Sequence, residues 1–196
     1  RDMLLTLNQG HTDLPSHPDR LKTPGVDMTT GSLGQGCSTA AGIAYANRLK
    51  GSDAYTYLIV GDGELNEGQC WEAFQFIAHN RLNRCIVIID DNKKQLDGYT
   101  ADVMNPFDIA GKMRAFGFAT QRVNGQDVVA LDAAITCAKH TEDSAVAIVM
   151  DTVKGAGVPY FEQLMDNHSV KFNAEAKAAA EAAIAELEAV IEGSRA

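Results

Sequence analysis

Two continuous apolar runs, Ala54–Val60 (AYTYLIV) and Cys85–Asp90 (CIVIID), each end in a turn dense in carboxylates and amides. A run that is apolar at every position, rather than at every second one, suits a strand buried on both faces, the habit of parallel sheets. Parallel neighbours need a covering connection. The stretch between the runs supplies one, because Gly68–Arg81 puts Trp71, Phe74, Phe76 and Ile77 mostly on one side of a helix. The two strand ends then present Gly61-Asp62-Gly63 and Asp90-Asp91-Asn92 at the same edge of the sheet. Ligands of such sheets sit beyond the carboxyl ends of the strands.

The same rhythm continues. Ala145–Thr152 reads as a third strand and Ala119–Val123 as a shorter fourth, while Gln35–Leu49, Ile109–Phe116 and Val128–Lys139 read as helices. The expectation is an α/β fold, a mainly parallel sheet with helices on both faces. With 196 residues and 45% hydrophobic content, residues 1–196 can bury one core, so a single domain is expected. Residues 1–30 have little periodicity and many Pro, Gly, His and Asp, which reads as a long ordered loop of functional use. Residues 174–192 are rich in Ala and Glu and read as a helix, whose stripe of Ile184, Leu187, Val190 and Ile191 is expected to cover the sheet or a partner.

Charge excludes several classes. A net charge of −9 without a basic cluster argues against nucleic acid and anionic membrane as partners. No apolar run reaches the roughly 18–20 residues that span a bilayer, and no signal peptide is visible, so a cytoplasmic setting is expected. Cys37, Cys70, Cys85 and Cys137 are scattered without a CxxC pattern, and read as small apolar thiols in a reducing compartment.

The paired strand ends fit a particular chemistry. A diphosphate brings several negative charges that this acidic chain cannot neutralise alone. A hard cation, Mg²⁺ or Ca²⁺, can do so through oxygen ligands, with Asp62 offering a charge and Asn92 a neutral oxygen. Gly61 and Gly63 let backbone and phosphate approach closely, and the helix after Glu67-Gly68 begins near the anion. Gly-Asp-Gly alone serves equally well as a turn after a strand. The pair of motifs, each behind a buried run, is more specific. His17, in a His-Pro pair within a polar loop, suits a proton donor or hydroxyl partner, although taken alone it reads as a solvated loop histidine. His79 and His140 read as structural, and His11 has no clear role.

The longer text around these motifs resembles the diphosphate-binding domain of transketolases, in particular the separate N-terminal subunit of split bacterial ones. The matching stretches are TPGVDMTTGSLGQG with Gly31–Gly36, GDGELNEGQCWEA, DDNKKQLDGYT, Ser16–Arg20 (SHPDR) and Arg114–Phe118 (RAFGF). The resemblance implies thiamine diphosphate held with Mg²⁺ (or Ca²⁺), the metal being ligated by Asp62, Asn92 and the backbone carbonyl of Lys94. It implies that Gly63 donates its N–H to the diphosphate and that Gly31 and Leu33 lie against the cofactor rings. Catalytic roles fall on Glu67, in a carboxylate network across a dimer interface, and on His17, which would contact the ketose. His168 sits near a family histidine that reaches the diphosphate, but its surroundings, Asp166-Asn167-His168-Ser169, depart from the family text.

The implied activity is transfer of a two-carbon glycolaldehyde unit between sugar phosphates. Family members carry a further N-terminal stretch and a pyrimidine-binding domain that this sequence does not show. The implied partner is therefore a C-terminal, pyrimidine-binding transketolase subunit in an α2β2-type assembly. The alternatives are a non-catalytic interaction subunit, or a family member acting on an unusual sugar phosphate.

Overall fold

In the computed structural model, which describes residues 2–194, four parallel strands make one sheet. They are β1 (Thr56–Gly61), β2 (Cys85–Asp91), β5 (Ala119–Asn124) and β6 (Val146–Asp151), in the order β1-β2-β6-β5. Register places Gly61 beside Asp90, and Asp91 beside Asp151, so the acid-bearing ends of three strands share one edge. A short antiparallel hairpin, β3 (Lys94–Gln95) with β4 (Gly98–Tyr99), folds back over that edge.

Among the described residues seven α-helices accompany the strands: α1 (Gln35–Leu49), α2 (Gly68–His79), α3 (Thr100–Met104), α4 (Ile109–Ala115), α5 (Val128–Lys139), α6 (Pro159–Gln163) and α7 (Ala174–Gly193). Several start where a side chain satisfies a free amide. Asp127 accepts from Val129 and Ala130 N–H groups, Asp108 from Gly111, and Asn173 from Ala176. On one face of the sheet, α1, α2 and α4 bury Phe74, Ile77, Ile109 and Met113 against Val60, Val87, Ile89 and Val149. On the other, α5 sets Ala134 and Ala138 against Ile86, Ile88, Val146 and Ile148. The alternating strand faces thus feed two cores, which is why β2 is apolar from Cys85 to Ile89.

Element positions follow the sequence reading, with ends shifted by a few residues. The hairpin and the short helices α3 and α6 were not foreseen. Helices cover both faces, but not evenly. Tyr57 and Ile59 on β1, an edge strand, are 47% and 69% exposed, so the apolar run there is not buried on both sides. Phe76 is also turned outward at 43% exposure, away from the buried Phe74 and Ile77. The stripe of α7 does not cover the sheet. Ile184, Leu187, Val190 and Ile191 are all exposed, and the helix buries only Ala176 and Ala183. Residues 7–34 form a chain of turns, as their Gly and Pro content suggested, after a single 3-10 turn at Asp2–Thr6. Among the described residues no helix is long and apolar enough to cross a membrane.

Candidate functional site at the carboxyl edge of the sheet

Asp62 follows the last residue of β1 and is 1% exposed. Its Oδ1 accepts from Gly63 N–H at 2.9 Å, and its Oδ2 accepts from Lys93 N–H at 2.8 Å and from the Thr100 hydroxyl at 3.4 Å. The Lys93 bond matters most for geometry, because it folds the turn after β2 onto Asp62. That turn has Lys93 at φ 69, a left-handed conformation uncommon for a lysine. Through the Lys93 N–H it sets the backbone between Asn92 and Lys94 against the Asp62 carboxylate. Burial pushes the Asp62 carboxyl above the usual carboxylate range, the two backbone N–H groups oppose this, and the charges of Asp91 and Asp90 add to the rise. None of the described ion pairs includes Asp62.

Its neighbours differ. Asp91 faces away and is neutralised by Lys93 at 2.6 Å and Arg122 at 2.9 Å, with Lys93 also reaching Asp151 at 3.0 Å. Asp90 accepts from Asn92 Nδ2 at 3.0 Å and from the Thr152 hydroxyl. Asn92 Oδ1 accepts from Lys94 N–H at 3.0 Å, an Asx turn that leaves a second lone pair free. A buried, unpaired carboxylate beside an amide oxygen is the donor chemistry of a hard divalent cation. The residues present fit such an ion.

The glycines leave room beside it. Gly61 has open space where a side chain would stand, whereas a Cβ on Gly63 would come within 2.7 Å of Gln95 Cβ. Gly31, at φ 142, lies so close to the His17 ring that no side chain fits between them. Leu33 is 58% exposed, and with Gly31 and Glu64 it lines a groove of about 640 Å³ that runs along α1 to β1. Glu67, exposed, stands at the start of α2 with its Cβ against Gly34. His168 Nδ1 lies 2.8 Å from Lys154 Nζ. Thus the structure brings Gly61, Asp62, Gly63, Asn92 and Lys94 together, and seats His17 on Gly31. No described contact joins His17 or His168 directly to Asp62.

Three side chains escaped the sequence reading, one of them on Lys94, which was read only for its backbone carbonyl. Glu64 Oε1 accepts from Gly34 N–H at 2.8 Å, tying the glycine loop before α1 to the turn before α2. The Lys94 side chain is buried and donates to the carbonyls of Glu162 at 3.0 Å and Leu164 at 2.8 Å. Lys154, just past β6, has its ammonium pushed below the usual lysine value by burial, with Asp62 and Asp90 pulling it back and Lys94 lowering it further. Its place beyond a strand end was the available signal, since that is where ligands of parallel sheets bind.

Fold and donor set define an α/β domain that presents a buried carboxylate, an amide and glycine-lined loops at the carboxyl edge of its sheet. Residues 2–185 match the family model described as the transketolase thiamine diphosphate binding domain, and the chain belongs to that family. It is 42% identical over 188 residues to the 6-deoxy-6-sulfo-D-fructose transketolase subunit SqwG of Clostridium sp. (strain MSTE9), covering 95% of this chain and 67% of that protein. It is 37% identical over 161 residues to one of the apulose-4-phosphate transketolase subunits of Actinobacillus succinogenes, covering 82% and 58% respectively. Among solved structures, the transketolase of Campylobacter jejuni superposes with a TM-score of 0.85 at 29% identity, over 93% of this chain and 30% of that one. The chain therefore spans about two thirds or less of the subunits it matches, and under a third of the Campylobacter chain.

Proposed function

We propose that this chain is the diphosphate-binding half of a thiamine diphosphate-dependent transketolase, completed by a pyrimidine-binding subunit in an α2β2-type assembly in the cytoplasm. One observation carries the reading: the Asp62 carboxylate is buried at the sheet edge with two further acids beside it and no described cation paired to it. Asp62, Asn92 and the Lys94 carbonyl would hold Mg²⁺ (or Ca²⁺), which would supply the positive charge that the acids and a diphosphate call for.

The surrounding residues have separate tasks in this reading. Gly61 and Gly63 admit the diphosphate, and the Gly63 N–H donates to it. Lys154 adds an ammonium and His168 a ring nitrogen from the β6 side. Gly31 and Leu33 give the cofactor rings a wall, and His17, held on Gly31, reaches a substrate hydroxyl. Glu67 faces the partner subunit. When bound, thiamine diphosphate supplies the nucleophilic carbon that carries a two-carbon glycolaldehyde unit from a ketose phosphate to an aldose phosphate. The chain's own residues fix the diphosphate end of the cofactor and line one wall of the site.

Calorimetric titration of Mg²⁺ and thiamine diphosphate into the chain with its partner subunit tests the metal assignment. Asp62→Ala is expected to lose tight binding. Wild-type affinity in that variant would refute the reading.

The two relatives named for a sulfofructose and for apulose 4-phosphate support a second reading on substrate, a family member whose donor is an unusual sugar or sugar phosphate. A panel of ketose donors given to the reconstituted pair separates the two. Turnover with xylulose 5-phosphate favours the first, turnover confined to another donor favours the second, and none with any donor favours a non-catalytic subunit.

A further inference from the structure

Three of the cysteines are buried, and two of these meet although they lie far apart in sequence. Cys37 is in the first turn of α1 and Cys70 in the first turn of α2; their sulfurs stand 3.5 Å apart, with both side chains closed to solvent. The Cys70 thiol also lies 3.3 Å from the Glu64 carbonyl oxygen. Scattered thiols in the sequence are therefore a pair in the fold.

The pair is polarised. Cys37 S–H donates to the Cys70 sulfur, and this bond, helped by burial, holds the Cys37 proton far above its ordinary value. The same bond draws the Cys70 thiol below its ordinary value against the opposing effect of burial. Cys85 differs: burial alone pushes its thiol up to about 12. In this hydrogen-bond geometry Cys70 Sγ is the accepting sulfur, which makes it the attacking one, and Cys37, 3.5 Å away, is the neighbour placed to resolve it.

Position adds meaning to the chemistry. The two thiols lie behind the loops that lead into α1 and α2, which are already joined by the Gly34–Glu64 bond and by Gln69 Nε2 donating to Ser38 Oγ at 2.8 Å. The groove above them is lined by Gly36, the neighbour of Cys37, and by Glu64, the partner of Cys70. Both sulfurs are closed to solvent, so a reagent reaches them through local opening of these loops.

We propose that Cys37 and Cys70 form a reversible disulfide site, closed by a small hydroperoxide, that staples α1 to α2 behind the candidate cofactor loops. The Cys70 sulfur attacks hydrogen peroxide, forming an S–O bond as the O–O bond breaks, and water leaves with the thiol proton. The Cys37 sulfur then attacks the Cys70 sulfur, forming the S–S bond, and the hydroxyl departs as water with the Cys37 proton. Two thiols give up two electrons, and one peroxide becomes two waters. Closing to the disulfide length of about 2.05 Å takes the sulfurs about 1.5 Å closer. A dithiol reverses the step by exchange. The disulfide itself does not depend on the functional reading above.

The test treats the folded protein with equimolar hydrogen peroxide, alkylates what remains, and maps the peptides by mass spectrometry. Two of the four thiols are expected to disappear together, with a linked peptide joining Cys37 to Cys70 that dithiothreitol separates. Hydrogen exchange at the Gly34 amide should slow in the oxidised form. Cys37→Ser, the mildest change, should abolish the link and leave Cys70 as a sulfenic acid that dimedone traps; Cys37→Ala serves if the serine variant is unstable. Consumption of Cys137 alone, or a link that forms only in denaturant, would overturn the proposal. Unchanged Gly34 exchange in the linked protein would overturn the staple.

Discussion

Replacing Lys94 by Met separates the side chain's work from that of its carbonyl. The ammonium is buried, lies 5.6 Å from the Tyr99 ring centroid, and donates to two carbonyls, those of Glu162 and Leu164, that flank the end of α6. Met keeps the length and apolar stem but removes both donors. A hydrogen bond from a charged donor is worth about 1.5–3 kcal/mol net, and two such bonds would suggest up to about 6 kcal/mol. The variant, however, no longer buries an ammonium, and the freed carbonyls lie in a half-exposed segment that water can reach. The net loss should therefore be about 2 kcal/mol, confined to the segment around α6. That raises its opening equilibrium about thirty-fold. Asn167 links this segment to Lys154, by donating to the Lys154 and Phe161 carbonyls, so His168 should loosen with it. Native-state hydrogen exchange reads the effect. The Phe161 and Glu162 amides, which bond to Val158, should exchange about thirty-fold faster, while those of β2 and β6 should not change. Equal acceleration throughout would mean that Lys94 supports the whole fold, and no acceleration would mean that the two bonds anchor nothing.

Other substitutions probe the remaining parts. Gly31→Ala should lower urea-unfolding stability by about 1–3 kcal/mol, because φ 142 strains any side chain, and His17→Ala should rescue it only in part, since the ring clash is only part of the cost. Lys154→Met should stabilise the cofactor-free chain in a pH-dependent way. The folded-state pKa of Lys154 lies below its unfolded value, so charging it opposes folding at neutral pH, and wild-type stability rises as pH climbs through the folded value toward the ordinary lysine range. The variant's advantage in thermal melts should accordingly be present near pH 7 and fade toward about pH 10.4, the unperturbed lysine value. A constant advantage would count against burial as its cause. On α7, Ile184→Glu and Leu187→Glu should each change stability by less than about 0.5 kcal/mol, because both side chains are exposed in this chain. A larger loss, seen in urea melts, would mean that the stripe is covered.

What could be read from the sequence was set by how local each signal is. The run Cys85–Ile89 must be buried on both faces to be apolar at every position, and it is, so the edge on which Asp62 and Asn92 stand could be inferred from two strands and the helix between them. The same logic failed for β1. Tyr57 and Ile59 obey the apolar pattern but stay largely exposed on the edge strand, because a pattern reports what a residue can bury and not whether anything covers it. The α7 stripe misled in the same way. Lys94 was legible as backbone, two residues past Asn92, but not as a side chain, since the direction of its ammonium is decided by the β3–β4 hairpin and by carbonyls from α6. The Cys37–Cys70 contact joins two helices and depends on how closely their first turns approach, which no spacing rule encodes. Sequence therefore located the candidate ligands, because each ends a strand, and missed the groups that hold or surround them, because those arrive from loops and helices without periodicity. Electrostatics around Asp62 follow the same division. Its place could be read, but its electrostatic setting emerges only when Asp91 is seen to take Lys93 and Arg122 for itself, leaving Asp62 with neutral hydrogen-bond donors and no described ion pair.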